Sequence, residues 1–330
     1  MSSVFNWLFL FIMEWVFITI AIFLILLYLP YFFKTAKLKK INITHVPEEG
    51  DWAKLSDGHI YYRWFKPKEE NSNGETVILV HGFSTPSFVW GGLIKNFCDS
   101  GFQVLVFDHF GRGFSERPYI DYDKELYVRS LKELMDHQEI EDTVHLVGYS
   151  MGGPIVGYYA EKYPDKIKSM SLIAPAGFQH AMSGVNSWTI KPIIGEWFWH
   201  VFNSRIYGVG KMSETVNSND PLSINEEEFL ENFNKQIQFK GFTESLLSTV
   251  RHFNLLDCRR MYKEVGSLNI PTFVIWGKID GVVPFSASEN LKECIPHSEL
   301  IAIEEGTHDI TYRQPTEVGS EITNFLLTKT

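Results

Sequence analysis

The chain is poor in cysteine, with only Cys98, Cys258 and Cys294 among 330 residues. An odd count without close spacing argues against a disulfide framework and for free thiols in a reducing compartment. No His, Cys, Asp or Glu grouping has metal-ligand spacing, so no metal site is expected. Glycine-rich phosphate loops and internal repeats are also missing, and no cofactor is expected. Basic residues are outnumbered, 30 Lys and Arg against 40 Asp and Glu, for a net charge of −10. The one basic run is Lys34, Lys37, Lys39 and Lys40. A nucleic-acid partner is therefore not expected.

Charge is also scarce at the N-terminus. Val4 to Phe33 is almost entirely apolar, with Glu14 its one charge, and Trp15 to Phe33 carries none. About 20 apolar residues in a helix cross a bilayer. A cleaved signal peptide has a basic n-region and small residues at the cleavage site. Here no Lys or Arg precedes the apolar run, and Tyr28 to Phe33 offers no such site. Residues 4–33 are thus expected to be an uncleaved membrane anchor, with a buried helix of the soluble domain as the alternative. Phe5 and Trp7 at one end and Tyr31 to Phe33 at the other suit the membrane interfaces. The lysines all lie on the C-terminal flank, which places the following domain in the cytoplasm of a single-pass protein. The sequon Asn42-Ile43-Thr44 argues the reverse but sits very close to the membrane, and a glycosylated Asn42 would overturn the orientation.

Past a basic linker, 34–49, apolar strands alternate with amphipathic helices, the signature of a mostly parallel sheet. Trp52 to Leu55 and His59 to Phe65 are expected to form an opening hairpin. Further strands are expected at Thr76–Val80, Val104–Phe107, Val144–Val147, Lys168–Ala174, Pro271–Gly277 and Leu300–Ile303. Helices are expected around Trp90 to Cys98, at Asp123–His137 and at Pro154–Lys162. The alternation breaks over 178–267. That segment carries Trp188, Trp197, Phe198, Trp199, Phe202, Tyr207, Phe229, Phe233, Phe239 and Phe242. Most of these are expected to be packing. The Gly195-to-Phe202 stretch is the candidate for membrane contact or a substrate tunnel.

Between one strand and its helix stands Gly148-Tyr149-Ser150-Met151-Gly152. Gly-x-Ser-x-Gly at such a turn lifts the serine clear of the backbone, and a Cβ at either glycine would collide with a neighbouring element. A serine hydroxyl needs a general base, and the base needs an orienting acid. Asp280 lies just past the strand ending Trp276-Gly277, and His308 just past the strand ending at Ile303. Both belong at the carboxyl edge of the sheet, where reacting groups gather in open α/β folds. Asp257 is the competing acid, and ten other histidines compete with His308. Gly111 and Gly113 mark a tight loop, so Asp108 and Arg112 are expected to fix a turn, with Ser115 a loop serine.

His81-Gly82, Asp108-His109-Phe110-Gly111-Arg112-Gly113-Phe114-Ser115, the Ser150 elbow, Trp276-Gly277-x-x-Asp280 and Gly306-x-His308 together resemble the α/β-hydrolase superfamily over roughly residues 50–328. Among its serine members the chain is most similar to membrane-anchored monoacylglycerol lipases. The resemblance implies an α/β-hydrolase core, 50–177 and 268–328, with a helical cap or lid at 178–267. It implies Ser150, Asp280 and His308 as the catalytic set, and the backbone N–H groups of Phe83 and Met151 as the oxyanion hole. His81 is then expected to shape the oxyanion loop. The expected activity is hydrolysis of a carboxylic ester of a lipid, or another apolar ester, through an acyl-enzyme. Thioesterases, small-ester esterases and carbon–carbon bond hydrolases share the elbow and are the enzymatic alternatives. A membrane-tethered scaffold without activity is the third.

Overall fold

A computed structural model describes residues 2–178, 187–202 and 219–329. Its strands are β1 (Asp51–Leu55), β2 (Gly58–Phe65), β3 (Thr76–Val80), β4 (Gln103–Phe107), β5 (Val144–Tyr149), β6 (Ile167–Ile173), β7 (Thr272–Gly277) and β8 (Glu299–Ile303). They form one sheet in the order β1-β2-β4-β3-β5-β6-β7-β8. β1 and β2 form an antiparallel hairpin, and β2 joins β4 antiparallel. Every pairing from β4 to β8 is parallel. The inner parallel strands are buried on both faces, which is why β3, β4 and β7 read as near-continuous apolar runs, whereas the edge strand β8 is largely exposed. In β3, Ile78 and Val80 enter one core cluster and Val77 and Leu79 the other, the alternation a pleated strand imposes.

The helices begin with α1 (Ser2–Thr35), α2 (Gly91–Asp99), α3 (Lys124–His137) and α4 (Gly152–Lys162). Then come α5 (Ile194–Val201), α6 (Glu226–Ile237), α7 (Phe242–His252), α8 (Arg259–Ser267), α9 (Ala287–Cys294), α10 (Ile310–Arg313) and α11 (Pro315–Lys329). α3, α4, α8 and α9 cover one face through Leu131, Ile155, Met261 and Leu291. α2 and α11 cover the other through Phe97 and Ile322. α3 starts where expected because the Asp123 side chain accepts from the Leu126 N–H, an N-cap. α6 starts on Asn225 in the same way, with Glu226, Glu227 and Glu228 exposed in its first turn. Acidic residues there complement the helix dipole, so the glutamate run is a solvated helix start.

The segment 178–267 divides in two. α5, α6 and α7 lie over the sheet domain, with Trp199, Phe229, Phe233 and Phe242 buried in the second core cluster and Phe239 buried as well. α8 instead packs on α4, and its Met261, Tyr262 and Val265 are part of the first cluster. The amphipathic pattern of α8 carries no sign of which layer it joins. Trp188 is exposed, and Trp197, Phe198 and Phe202 are half-buried. Tyr207 lies outside the described residues.

From Phe5 to Thr35, α1 is long and apolar enough to cross a membrane. None of its most apolar stretch is buried, so it is not a core helix of the domain. Among the described residues, its C-terminal end is the part engaged. The Trp197 indole N–H donates to the Leu27 carbonyl at 2.8 Å, the Tyr31 ring meets His200 edge-on at 5.2 Å, and Lys34 Nζ donates to the Val201 carbonyl at 2.8 Å. The basic linker is ordered too. Lys39 N–H donates to Gln238 O at 2.9 Å and Lys39 O accepts from Lys240 N–H at 2.8 Å, a short parallel bridge to the chain between α6 and α7.

Candidate active site

β5 runs to Tyr149 and α4 begins at Gly152, so Ser150 and Met151 must turn the chain within two residues. Ser150 does so at φ 54, in the left-handed region that costs a non-glycine residue energy. Its backbone is locked there: Ser150 N–H donates to Ile173 O at 2.9 Å, and Ser150 O accepts from the Gly153 and Ala176 N–H groups at 3.0 and 3.1 Å. A Cβ on Gly148 would stand 2.6 Å from the Gly152 carbonyl oxygen, and one on Gly152 would stand 2.0 Å from that of Val80. The two glycines are thus fixed by close approach of backbone to helix on one side and to strand on the other.

His308 follows β8 and presents Nε2 to Ser150 Oγ at 2.9 Å. Its Nδ1 meets Asp280 Oδ2 at 2.7 Å. The carboxylate can only accept, so Nδ1 carries the proton and Nε2 is left to accept from the serine hydroxyl. Asp280 is held in turn: its Oδ1 accepts from the Val282 and Val283 N–H groups, both at 2.8 Å. The competing Asp257 is exposed and accepts from the Arg259 N–H at 3.1 Å at the start of α8. Three residues predicted from distant parts of the chain are therefore brought into one hydrogen-bonded line.

The loop after β3 lies against the elbow, with Gly82 so close that a Cβ there would stand 3.2 Å from Ser150 Cβ. His81 shapes this loop from inside. Its Nε2 accepts from the His109 N–H at 2.9 Å and its Nδ1 donates to Gly82 O at 2.9 Å. Burial, then the neighbouring His109, drive the His81 pKa far down, and burial with Arg112 nearby brings His109 to about 3. Both rings are neutral and serve as fixed donors and acceptors. Among the described residues, the N–H groups of Phe83 and Met151 donate to no protein acceptor.

Asp108 fixes its turn as expected, accepting from the Ser87 and Phe114 N–H groups at 2.8 Å each. A Cβ on Gly113 would fall 1.8 Å from Asp108 Oδ2. Arg112 goes beyond the expectation. Its fully buried guanidinium donates to Phe83 O at 2.7 Å, to Ser245 Oγ at 2.8 Å and to Thr249 Oγ1 at 3.0 Å. Its side chain ties the loop beside Ser150 to α7, while its backbone closes the expected turn, donating to His109 O and accepting from the Ser115 N–H at 3.0 Å each. Ser115 bonds Tyr61 N–H and Asp108 O, joining that turn to β2.

One neighbour of the site carries no signal of its own. Tyr149 is fully buried, donates its hydroxyl to the His308 carbonyl at 3.0 Å and packs its ring 5.2 Å from the imidazole. Burial pushes its pKa far up, so the phenol remains a donor. As the variable residue of Gly-x-Ser-x-Gly it could have been found only by asking what packs behind His308.

Residues 75–199 match the α/β hydrolase fold family. With the sheet order and the elbow, the match gives this chain the α/β-hydrolase fold and supports a hydrolase. Within it the chain resembles the lipases. It is 28% identical over 268 residues to Lipase 3 of Moraxella sp. (strain TA144), covering 73% of this chain and 74% of that protein. It is 24% identical over 259 residues to the monoacylglycerol lipase ABHD6 of Mus musculus, covering 76% of this chain and 75% of that one. The crystal structure of a membrane phospholipase A shares the fold with a TM-score of 0.64 at 18% identity, over 96% of this chain and 97% of that chain.

Proposed function

We propose that the protein is a membrane-anchored serine hydrolase that cleaves a carboxylic ester of a long-chain lipid, with a monoacylglycerol as the best specific substrate. The observation that carries this reading is the line Ser150 Oγ, His308 Nε2, His308 Nδ1, Asp280 Oδ2, with contacts of 2.9 and 2.7 Å. Ser150 attacks the ester carbonyl as His308 takes its proton. Asp280 holds the ring in the right tautomer and stabilises its charged form. The Phe83 and Met151 N–H groups bind the oxyanion, and one such donor is worth about 3–4 kcal/mol in the transition state. His308 then protonates the leaving alcohol and activates the water that releases the fatty acid.

The lipid substrate is supported by the relatives' names, Lipase 3 and monoacylglycerol lipase, and by the aromatic cap of α5, α6 and α7. Anchoring through α1 is supported by its apolar, unburied surface. The exposed Lys37, Lys39 and Lys40 on its C-terminal flank support a hydrolase domain facing the cytoplasm. An anchored enzyme takes a bilayer lipid into its site without moving it through water. The test is lipid profiling of cells carrying wild-type or Ser150→Ala protein, together with a chain-length series of esters. Accumulation of monoacylglycerols with the variant is expected. A preference for acetyl over long acyl esters would point to a small-ester esterase instead.

A further inference from the structure

We propose that the start of the cap helix α5 is seated in the same leaflet that α1 leaves, so that Trp188, Ile193 and Ile194 are lipid-facing residues of the folded enzyme. The inference rests on the reading of α1 as a membrane span. The occupant of this surface is the acyl-headgroup boundary of a phospholipid bilayer.

Direction comes first. Going up α5, Trp197 pairs with Leu27, His200 with Tyr31 and Val201 with Lys34. The contacts rise together, so α5 and the end of α1 run in the same direction. Ile193, four residues before Trp197, lies about 6 Å further back toward the apolar body of α1. Depth follows from length. Phe5 to Leu26 alone reaches roughly 33 Å as a helix, enough for the hydrocarbon core of a bilayer at about 30 Å. The residues after Leu26 are the ones α5 uses. The first turn of α5 is therefore carried below the level at which α1 emerges, within the 5–10 Å or so that interfacial helices typically reach.

At that level Ile193 is 69% and Ile194 48% exposed, and Phe23 and Leu24 on α1 are exposed too; Trp188, 48% exposed, packs on Phe198 at 4.9 Å, just past Trp197, and the exposed Lys191 is long enough to reach the headgroups. Ile193 also holds φ 70, a conformation a β-branched residue adopts only under constraint. The constraint comes from α7. Glu196 pairs with Arg251 at 2.7 Å and His200 with Glu244 at 3.0 Å, both on α7. Arg251 Nε also donates to Ile190 O at 2.5 Å, just ahead of the exposed isoleucines. The polar groups of Glu196, His200 and the Ile190 carbonyl are thus bolted to α7, while Ile193 and Ile194 are presented outward at a fixed height. That arrangement fits a leaflet, which covers apolar surface without demanding a shaped partner.

The experiment uses the full chain in phosphatidylcholine vesicles, in a Cys98→Ser background, with an environment-sensitive fluorophore on Ile194→Cys, on Phe17→Cys or on Tyr119→Cys. Spin-labelled lipids that quench at shallow or deep positions report depth. Label at 194 is expected to be quenched by the shallow probe, label at 17 by the deep probe, and label at 119 by neither. Quenching at 17 without quenching at 194 overturns the proposal and leaves the anchor standing. Quenching at neither overturns both. In the second arm, Ile193→Asp/Ile194→Asp is expected to lower hydrolysis of vesicle-borne monoacylglycerol about tenfold while turnover of water-soluble p-nitrophenyl acetate stays within about twofold. Equal rates on both substrates for variant and wild type would also overturn it.

Discussion

At the carboxyl edge of the sheet Ser150 meets His308 and Asp280; at the opposite edge Ser169 meets His145 and Glu75. The second set is built from the same strands. His145 lies at the start of β5 and Ser169 at the start of β6, about 17 Å down the strand from the elbow. Ser169 Oγ lies 2.7 Å from His145 Nδ1, and His145 Nε2 lies 2.9 Å from Glu75 Oε2. The carboxylate accepts a hydrogen bond from Nε2–H and leaves Nδ1 to accept from the serine, the same logic with the two nitrogens exchanged. Yet Ser169 is fully buried within a strand, and the Phe102 ring closes over His145 at 5.5 Å. Ser150 is partly exposed, strained at φ 54, and flanked by two N–H groups without protein acceptors. A serine–histidine–carboxylate line is therefore easy to build in a parallel sheet. What distinguishes a reactive one is access, a constrained turn, and donors aimed at the developing charge.

The comparison is tested most severely by removing each hydroxyl. Ser150→Ala is expected to cut ester turnover by about 10⁴-fold or more and to abolish labelling by a fluorophosphonate, while Ser169→Ala leaves both unchanged. Labelling that survives Ser150→Ala would place the nucleophile elsewhere. Removing each carboxylate comes next. Asp280→Asn is expected to lower kcat by about 10³–10⁴-fold by stabilising the wrong tautomer of His308. Glu75→Gln should leave kcat alone and show only in the melting temperature; a comparable rate loss from both would erase the distinction.

Arg112 marks a third difference, since its guanidinium ties the carboxyl edge to α7. Arg112→Met leaves the Phe83 carbonyl without its donor and is expected to cost about 2–4 kcal/mol of stability in urea unfolding. A change under about 0.5 kcal/mol would mean the tie is idle.

The smallest effect concerns pH. Burial holds His145, His81 and His109 below the ordinary histidine value, His109 down to about 3. The unfolded chain takes up these protons below about pH 6.5 while the folded rings refuse them, so stability falls as pH drops from there toward 3. For Glu75, burial acts to raise the pKa, but hydrogen bonds from Lys168 and His145 outweigh it and hold the carboxyl below its usual range. Its contribution is present above the unfolded carboxyl value and is lost as pH falls through the folded one, in the same direction. Melting temperatures should decline steadily between pH 7 and pH 5, and His145→Phe should flatten part of that slope.

Much of this was legible in the residue pattern, because strands buried on both faces and capped helices write local signatures. The elbow, the hairpin, the capped start at Asp123 and the positions of Asp280 and His308 past strand ends all follow from short windows. β5 extends two residues beyond its apolar core because Gly148 and Tyr149 still pair with Leu172 and Ile173. Links between distant windows were not legible. Arg112 sits in a glycine-rich loop that suggests a turn, and its partners Ser245 and Thr249 lie far along the chain on α7. Tyr149 occupies a position any residue can fill. The layer that α8 joins depends on its contact with α4, and the docking of Trp197 on Leu27 pairs an indole with a backbone carbonyl, which no composition reveals.

The bridge between Lys39 and residues 238–240 leaves only three residues, 36 to 38, between the end of α1 and a fixed point on the connection from α6 to α7. A leash that short allows no swivelling. With α1 in a bilayer as proposed, the hydrolase domain would drift across the membrane in one constant posture, its encounters set by how many lipids occupy each patch of surface rather than by their concentration in the surrounding fluid.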